Sequence, residues 1–115
     1  MEQDINIVAM QVIMNACNGR DKVDEALEAM AQNEFEQAAK LLEEAEASLL
    51  KAHVAQTSMI QSQAAGNDTE YSLLFIHAQD TLMTSNSEMR IAKNILPVFV
   101  KQNELINTLK EGARA

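Results

Sequence analysis

Two stretches of this 115-residue chain gather side chains able to do chemistry. His77, Asp80, Thr84 and Ser87 recur at i, i+3, i+7 and i+10, a spacing that puts all four on one face of a helix. Gln79 flanks them, two positions from His77 and off that row. His53 has Gln56 and Thr57 at i+3 and i+4, and this second cluster would face the His77 row from another helix. Three roles are open to His77: a hydrogen-bonded interior histidine, a metal ligand with Asp80, or a nucleophile, since neutral imidazole can attack near neutral pH. A lone His-x-x-Asp pair is a poor zinc site, which normally needs four ligands. His53 by itself reads as a surface or interhelical hydrogen-bonding residue. No glycine-rich phosphate loop, Ser-His-Asp set or Cys-His pair stands beside these residues. Cys17 is expected as a small core residue, because no neighbour in sequence would activate a thiol. The methionines, Met10, Met14 and Met59 among them, read as core filler.

The elements that must position these groups are three helices. The first is predicted from about residue 4 to about 31, with Ile5, Val8, Val12, Ala16, Val23, Leu27 and Met30 on its apolar face. Gly19 weakens it, so Asp21 either caps a new start or lies in a helix that runs through at a cost of roughly 1 kcal/mol. Gln32-Asn33-Glu34-Phe35 is a break, with Asn33 as the expected cap of the second helix. That helix runs to about Gln63 on a stripe of Phe35, Ala38, Leu42, Ala45, Leu49, Ala52, Gln56 and Met59, whose small residues imply close approach. A second break spans 64–70, with Gly66 and Asn67 as turn formers and Asp68 or Thr69 as the next cap.

The third helix is expected from near Tyr71 to about Lys110, and it carries two stripes. One is Leu74, Ala78, Leu82, Ser85, Met89, Ala92, Leu96, Phe99 and Ile106. The other is apolar at both ends (Leu73; Ile91, Ile95, Val98, Leu105, Leu109) and polar in the middle, where His77, Asp80, Thr84 and Ser87 lie. Two stripes predict that this helix packs inward and also against something else, most simply copies of itself. Asp80 then poses a question. Either it faces solvent on a monomer, or symmetry brings its copies together, where carboxylates must be protonated or share a cation. Pro97 removes the bond its amide would give Lys93 and is expected to bend or end the helix. The fold class is therefore all-α: one domain over 1–115, three long antiparallel helices in a bundle, with the third helix also packing against copies of itself.

Composition supports this and narrows function. Three Gly, one Pro and no Trp argue against a β-sandwich. The net charge of −8 excludes nucleic acid and anionic membrane as partners, because both reward Lys and Arg. The excess acid lies in 1–70, which holds 13 acids and 4 bases; 71–115 holds 4 acids and 5 bases. A single cysteine predicts a reducing compartment. Met1-Glu2-Gln3-Asp4 is acidic where a secretory leader is basic, and no apolar run approaches the ~20 residues needed to span a bilayer. A cytoplasmic protein without membrane insertion is expected.

The segment His77-Ala78-Gln79-Asp80-Thr81-Leu82-Met83-Thr84 resembles the phosphorylation site of the lactose/cellobiose-type enzyme IIA of the bacterial sugar phosphotransferase system. Ala52-His53-Val54-Ala55-Gln56-Thr57 resembles that family's Ala-His-x-x-Gln-Thr stretch, and Asn33-Glu34-Phe35 with Ala38 its inter-helix turn. Tyr71-Ser72-Leu73-Leu74 also fits. The resemblance implies a three-helix homotrimer in which His77 accepts a phosphoryl group from the phosphohistidine of HPr and passes it to a cysteine of a IIB protein. It implies a divalent cation, Mg for example, held by Asp80 at the trimer axis. Gln79, Thr81, His53 and Gln56 would be neighbours of the active site. Thr81 departs from the family, which commonly carries a second histidine there; threonine offers a hydroxyl but no positive charge. The alternative function is a non-catalytic helical interaction or regulatory module that keeps the fold. Nothing in the sequence selects among lactose, cellobiose and chitobiose types.

Overall fold

A computed structural model describes residues 4–66 and 71–114. Its elements are α1 (Ile5–Ala31), α2 (Phe35–Ala64) and α3 (Leu73–Arg114), with no strand among the described residues. Successive helices run antiparallel, so α1 and α3 are parallel. The expected bundle and the helix bounds agree with this to within a few residues.

Asp4 starts α1: its side chain accepts from the Asn6 amide at 2.9 Å. The helix runs through Asp21 without a new start, and the reason is Gly19. A Cβ there would lie 2.8 Å from Leu49 Cγ and 3.2 Å from the Ala45 carbonyl oxygen. The missing side chain lets α1 and α2 approach closely, which offsets its weak helix propensity. Val12, Ala16, Val23 and Ala26 meet Ala45, Leu49 and Ala52 in a core of mostly small side chains.

Asn33 is not the cap of α2. Its φ of 60° is left-handed, and it closes α1 instead. Asn33 N–H bonds the Met30 carbonyl at 3.0 Å and Glu34 N–H the Ala29 carbonyl at 2.9 Å, the paired bonds of a Schellman motif. Asparagine tolerates this backbone better than most residues, so the chain reverses in a short link. Glu34 stands at the N-cap of α2 with no side-chain bond. At the second break, Gly66 has a φ of 87° and makes the turn. Asn67, Asp68 and Thr69 lie outside the described residues. The cap of α3 is Ser72, whose hydroxyl accepts from Phe75 N–H at 3.0 Å and donates to Asn6 Oδ1 at 2.7 Å.

Three further expectations are corrected. Cys17 is exposed, because it follows Ala16 by one residue and is turned about 100° off the core face. Of the methionines, Met30, Met59 and Met89 are core, but Met10, Met14 and Met83 are exposed for the same reason of helical phase. Phe99 and Ile106 continue the inner stripe of α3 but are exposed, Ile106 because α3 outruns its partners there. At 42 residues it is the longest helix, and the molecule measures 73 × 20 × 19 Å. Pro97 does not end α3. Both Lys93 and Pro97 are exposed, so the carbonyl that loses its partner is open to water.

Ion pairs also join the helices at the surface. Arg20 makes a bidentate pair with Glu88 at 3.0 and 3.1 Å. The hydrogen bond and the charge of Glu88 raise the Arg20 guanidinium above its ordinary value. Lys93 pairs with Glu46 at 2.8 Å, and Lys22 with Glu44 at 3.5 Å.

Candidate functional site

The His77 row sits on the outer face of α3. The inner face buries Phe75, Ala78, Leu82, Ser85, Met89 and Ala92, so residues one or two positions away are turned outward. His77, Asp80, Thr84 and Ser87 are all exposed. The His77 ring and the Asp80 carboxylate make no hydrogen bond or ion pair with any described residue. Of the three roles left open, the interior histidine is therefore excluded within one chain.

The hydroxyls beside them are turned to the backbone. Thr81 Oγ1 donates to the His77 carbonyl at 2.9 Å, and Thr84 Oγ1 to the Asp80 carbonyl at 2.9 Å. These back-bonds are an ordinary habit of helical threonine. Thr81 thus shares a turn with His77 but donates to its backbone rather than its ring. Gln79 is half-buried and turned about 200° around the axis from His77, so it does not share that face.

Interhelix pairs fix what stands level with His77. Ser72 meets Asn6 and Glu88 meets Arg20, offsets of 66 and 68 residues between the parallel helices. His77 is therefore level with Met10, which is 46% exposed. Leu73, Ile76 and Met83 on α3 and Met14 on α1 are also exposed, so the histidine is set in an apolar margin. The reading of the methionines as core filler misses that margin. Its signal in the sequence is the spacing of Met10 and Met14 beside, rather than on, the Val8–Val12 row.

The α2 cluster is not brought to His77 within one chain. The Lys93–Glu46 pair aligns the antiparallel helices and puts His77 level with about residue 62, so His53 lies about 13 Å away along the axis. His53 is exposed, with Thr57 Oγ1 at 3.5 Å from its Nε2. Gln56 is half-buried, and its Oε1 has no partner.

Among the described residues no three His, Cys, Asp or Glu side chains form a metal-binding group. Among the described residues, Asp80 is the one carboxylate in the His77 row. A groove of about 410 Å³ between α1 and α3, lined by Arg20, Leu27, Glu88 and Ile91, lies away from the site: Glu88 is about 16 Å along α3 from His77. No helix among the described residues is long and apolar enough to cross a membrane. An open imidazole with no hydrogen-bond or ion-pair partner among the described residues suits a reaction whose remaining parts come from another protein.

Comparison with known proteins agrees with the motif. Residues 7–100 match the PTS system lactose/cellobiose-specific IIA subunit family. The lichenan-specific phosphotransferase enzyme IIA component of Bacillus subtilis is 36% identical over 104 residues, covering 90% of this chain and 94% of that protein. The crystal structure of the PTS cellobiose-specific enzyme IIA from Bacillus anthracis superposes with a TM-score of 0.83 at 33% identity, covering 90% of this chain and 95% of that one. A IIA(chitobiose) chain, solved in complex with HPr from Escherichia coli, gives a TM-score of 0.76 at 26% identity, covering 89% of this chain and 99% of that one. The chain therefore belongs to the lactose/cellobiose-specific IIA subunit family, the enzyme IIA components of the sugar phosphotransferase system.

Proposed function

We propose that the protein is a cytoplasmic phosphocarrier that works through His77. The phosphorus–nitrogen bond of phospho-HPr breaks as one forms to the His77 imidazole; the group then passes to a cysteine thiolate of a cognate IIB protein, during uptake of a sugar of the lactose, cellobiose or chitobiose type. The observation that carries this reading is an exposed imidazole, without a partner among the described residues, set in an apolar margin on a long helix. Such a site leaves positioning and charge stabilisation to the docked partner. A relative solved in complex with HPr supports the donor.

The outer face of α3 is proposed as the seam of a homotrimer. The three copies of Asp80 then converge, and their oxygens suit a hard divalent cation such as Mg. When bound, the cation neutralises the carboxylates; the transfer itself stays with His77. His53, Gln56, Gln79 and Thr81 are assigned as neighbours of the working site, with His53 and Gln56 offset from His77 along the axis by about 13 and 9 Å.

Incubation with enzyme I, HPr and phosphoenolpyruvate tests the reading. Wild type takes up label and His77→Ala does not; label that survives the substitution moves the site elsewhere. A second reading, a regulatory module that keeps the fold, is favoured by Thr81, which supplies no positive charge and whose hydroxyl is bonded to the backbone. Label chased onto a IIB cysteine excludes it.

A further inference from the structure

A thioether is placed next to the histidine by the register of α1 on α3. On α1, Asn6, Met10, Ile13, Cys17 and Arg20 recur at alternating gaps of four and three, so they form one row. Both ends of that row are bonded to α3: Asn6 Oδ1 accepts from the Ser72 hydroxyl at 2.7 Å, and Arg20 pairs with Glu88 at 3.0 Å. The row therefore follows the edge of α3. On that helix His77, Thr81, Thr84 and Glu88 recur in the same way, and Glu88 is the residue that holds Arg20. The offset between the parallel helices then sets Met10 level with His77, one row facing the other.

Met10 is 46% exposed there. Met14 and Met83 are also exposed but lie off both rows, and Met30, Met59 and Met89 are buried in the core. A thioether packs as an apolar group, whereas its sulfoxide is polar and chiral. An opening that admits a phosphorylated protein to His77 also admits a small oxidant to the sulfur beside it. A sulfoxide covered by a docked partner without a hydrogen-bond donor weakens that docking by about tenfold.

We propose that Met10 is a reversible oxidation site that governs transfer at His77, with hydrogen peroxide as the oxidant. The proposal rests on the phosphocarrier reading above. The sulfur lone pair attacks one peroxide oxygen; the sulfur–oxygen bond forms as the oxygen–oxygen bond breaks, and the other oxygen leaves as water. Sulfur gives up two electrons and peroxide takes them. A methionine sulfoxide reductase reverses the step: two thiols supply two electrons, become a disulfide, and the oxygen leaves as water. The imidazole is untouched, so the oxidised protein keeps its nucleophile and loses affinity for its partners.

The test uses a Cys17→Ser background, which removes the thiol as a second target. The protein is treated with hydrogen peroxide, each methionine is followed by peptide mass spectrometry, and phosphoryl transfer from phospho-HPr is timed before and after. Met10 should oxidise well ahead of Met30, Met59 and Met89. The kcat/KM for transfer should fall by about tenfold, chiefly through KM, with circular dichroism unchanged. Methionine sulfoxide reductase with a thiol should restore the rate. Met10→Leu, compared only with itself before and after the same treatment, should change by less than about twofold while Met14 and Met83 still oxidise. A Met10 sulfoxide with an unchanged rate, an equal loss in Met10→Leu, or loss of helix at the same dose overturns the proposal and leaves the phosphocarrier reading standing. A protein that takes no label on His77 before peroxide overturns that reading and the proposal with it.

Discussion

Replacing Gly19 by alanine sets two effects against each other. Within a helix, alanine is favoured over glycine by about 0.8–1.0 kcal/mol, so backbone propensity alone predicts a gain. The new Cβ, however, would stand 2.8 Å from Leu49 Cγ, 3.1 Å from Leu49 Cδ2 and 3.2 Å from the Ala45 carbonyl. Leu49 is 3% exposed and cannot swing away, and the carbonyl is fixed in the α2 ladder. Overpacking of this kind costs about 1–3 kcal/mol. The steric loss therefore wins, and Gly19→Ala should destabilise by about 1 kcal/mol, a fall of roughly 3–6 °C in Tm for a domain of this size.

Gly112 supplies the control, since a Cβ there meets nothing within 4 Å. Gly112→Ala should be neutral or slightly stabilising. Both variants are compared by thermal and urea unfolding at one protein concentration, because assembly would shift Tm with concentration. A double-mutant cycle with Leu49→Ala isolates the contact. Leu49→Ala alone should cost about 2–5 kcal/mol. It should cost about 0.5–3 kcal/mol less in the Gly19→Ala background, where the added methyl already fills part of the space. If Gly19→Ala stabilises as much as Gly112→Ala, or if the cycle shows no coupling, α1 and α2 are not in the close contact described.

Other residues give simpler tests. Ser72→Ala removes the cap of α3 and its bond to Asn6, and should cost about 1 kcal/mol, with faster amide exchange at Phe75 as its local sign; unchanged exchange there would refute the cap. Ser85 is fully buried, and its hydroxyl has no partner, so Ser85→Ala should raise stability by about 1–2 kcal/mol in urea unfolding; a loss instead would mean that the hydroxyl is satisfied. On the proposed trimer, Asp80→Leu should abolish any effect of chelator on assembly and strengthen the seam, since packing would replace carboxylates that converge there. Chelator dependence that persists in Asp80→Leu would place the cation elsewhere.

Much of this architecture is legible because it is periodic. The apolar rows locate all three helices, since a repeat of three and four reports which face is buried whatever covers it. What periodicity does not report is phase against a neighbour or the geometry of ends. Asn33 reads equally well as a cap or as a left-handed closing residue, and only the direction of the chain beyond it decides. Ser72 escapes notice because Asp68 and Thr69 offer the same cap chemistry a few residues earlier. Cys17 is misplaced because its residue type suggests burial while its position, one step past Ala16, forbids it. The His77 segment can be read because it is local to one helix. The distance from His77 to His53 cannot, since it depends on a register set by pairs such as Lys93–Glu46.

The two stripes of α3 divide its tasks along one rod. Toward the N-terminal end, the outer face carries His77, Asp80, Thr84 and Ser87 beside exposed apolar side chains, the surface proposed to meet a protein partner. Toward the other end, the same face is apolar and uncharged. His77 and Leu105 are about 42 Å apart along the helix axis. A phosphocarrier must release each partner after transfer, which favours a small contact around the histidine. An assembly that outlasts those encounters needs a larger apolar contact elsewhere. Placing both on one continuous helix satisfies the two demands without compromise between them. The acid-rich surface of α1 and α2 belongs to neither proposed task, and its net charge favours solubility.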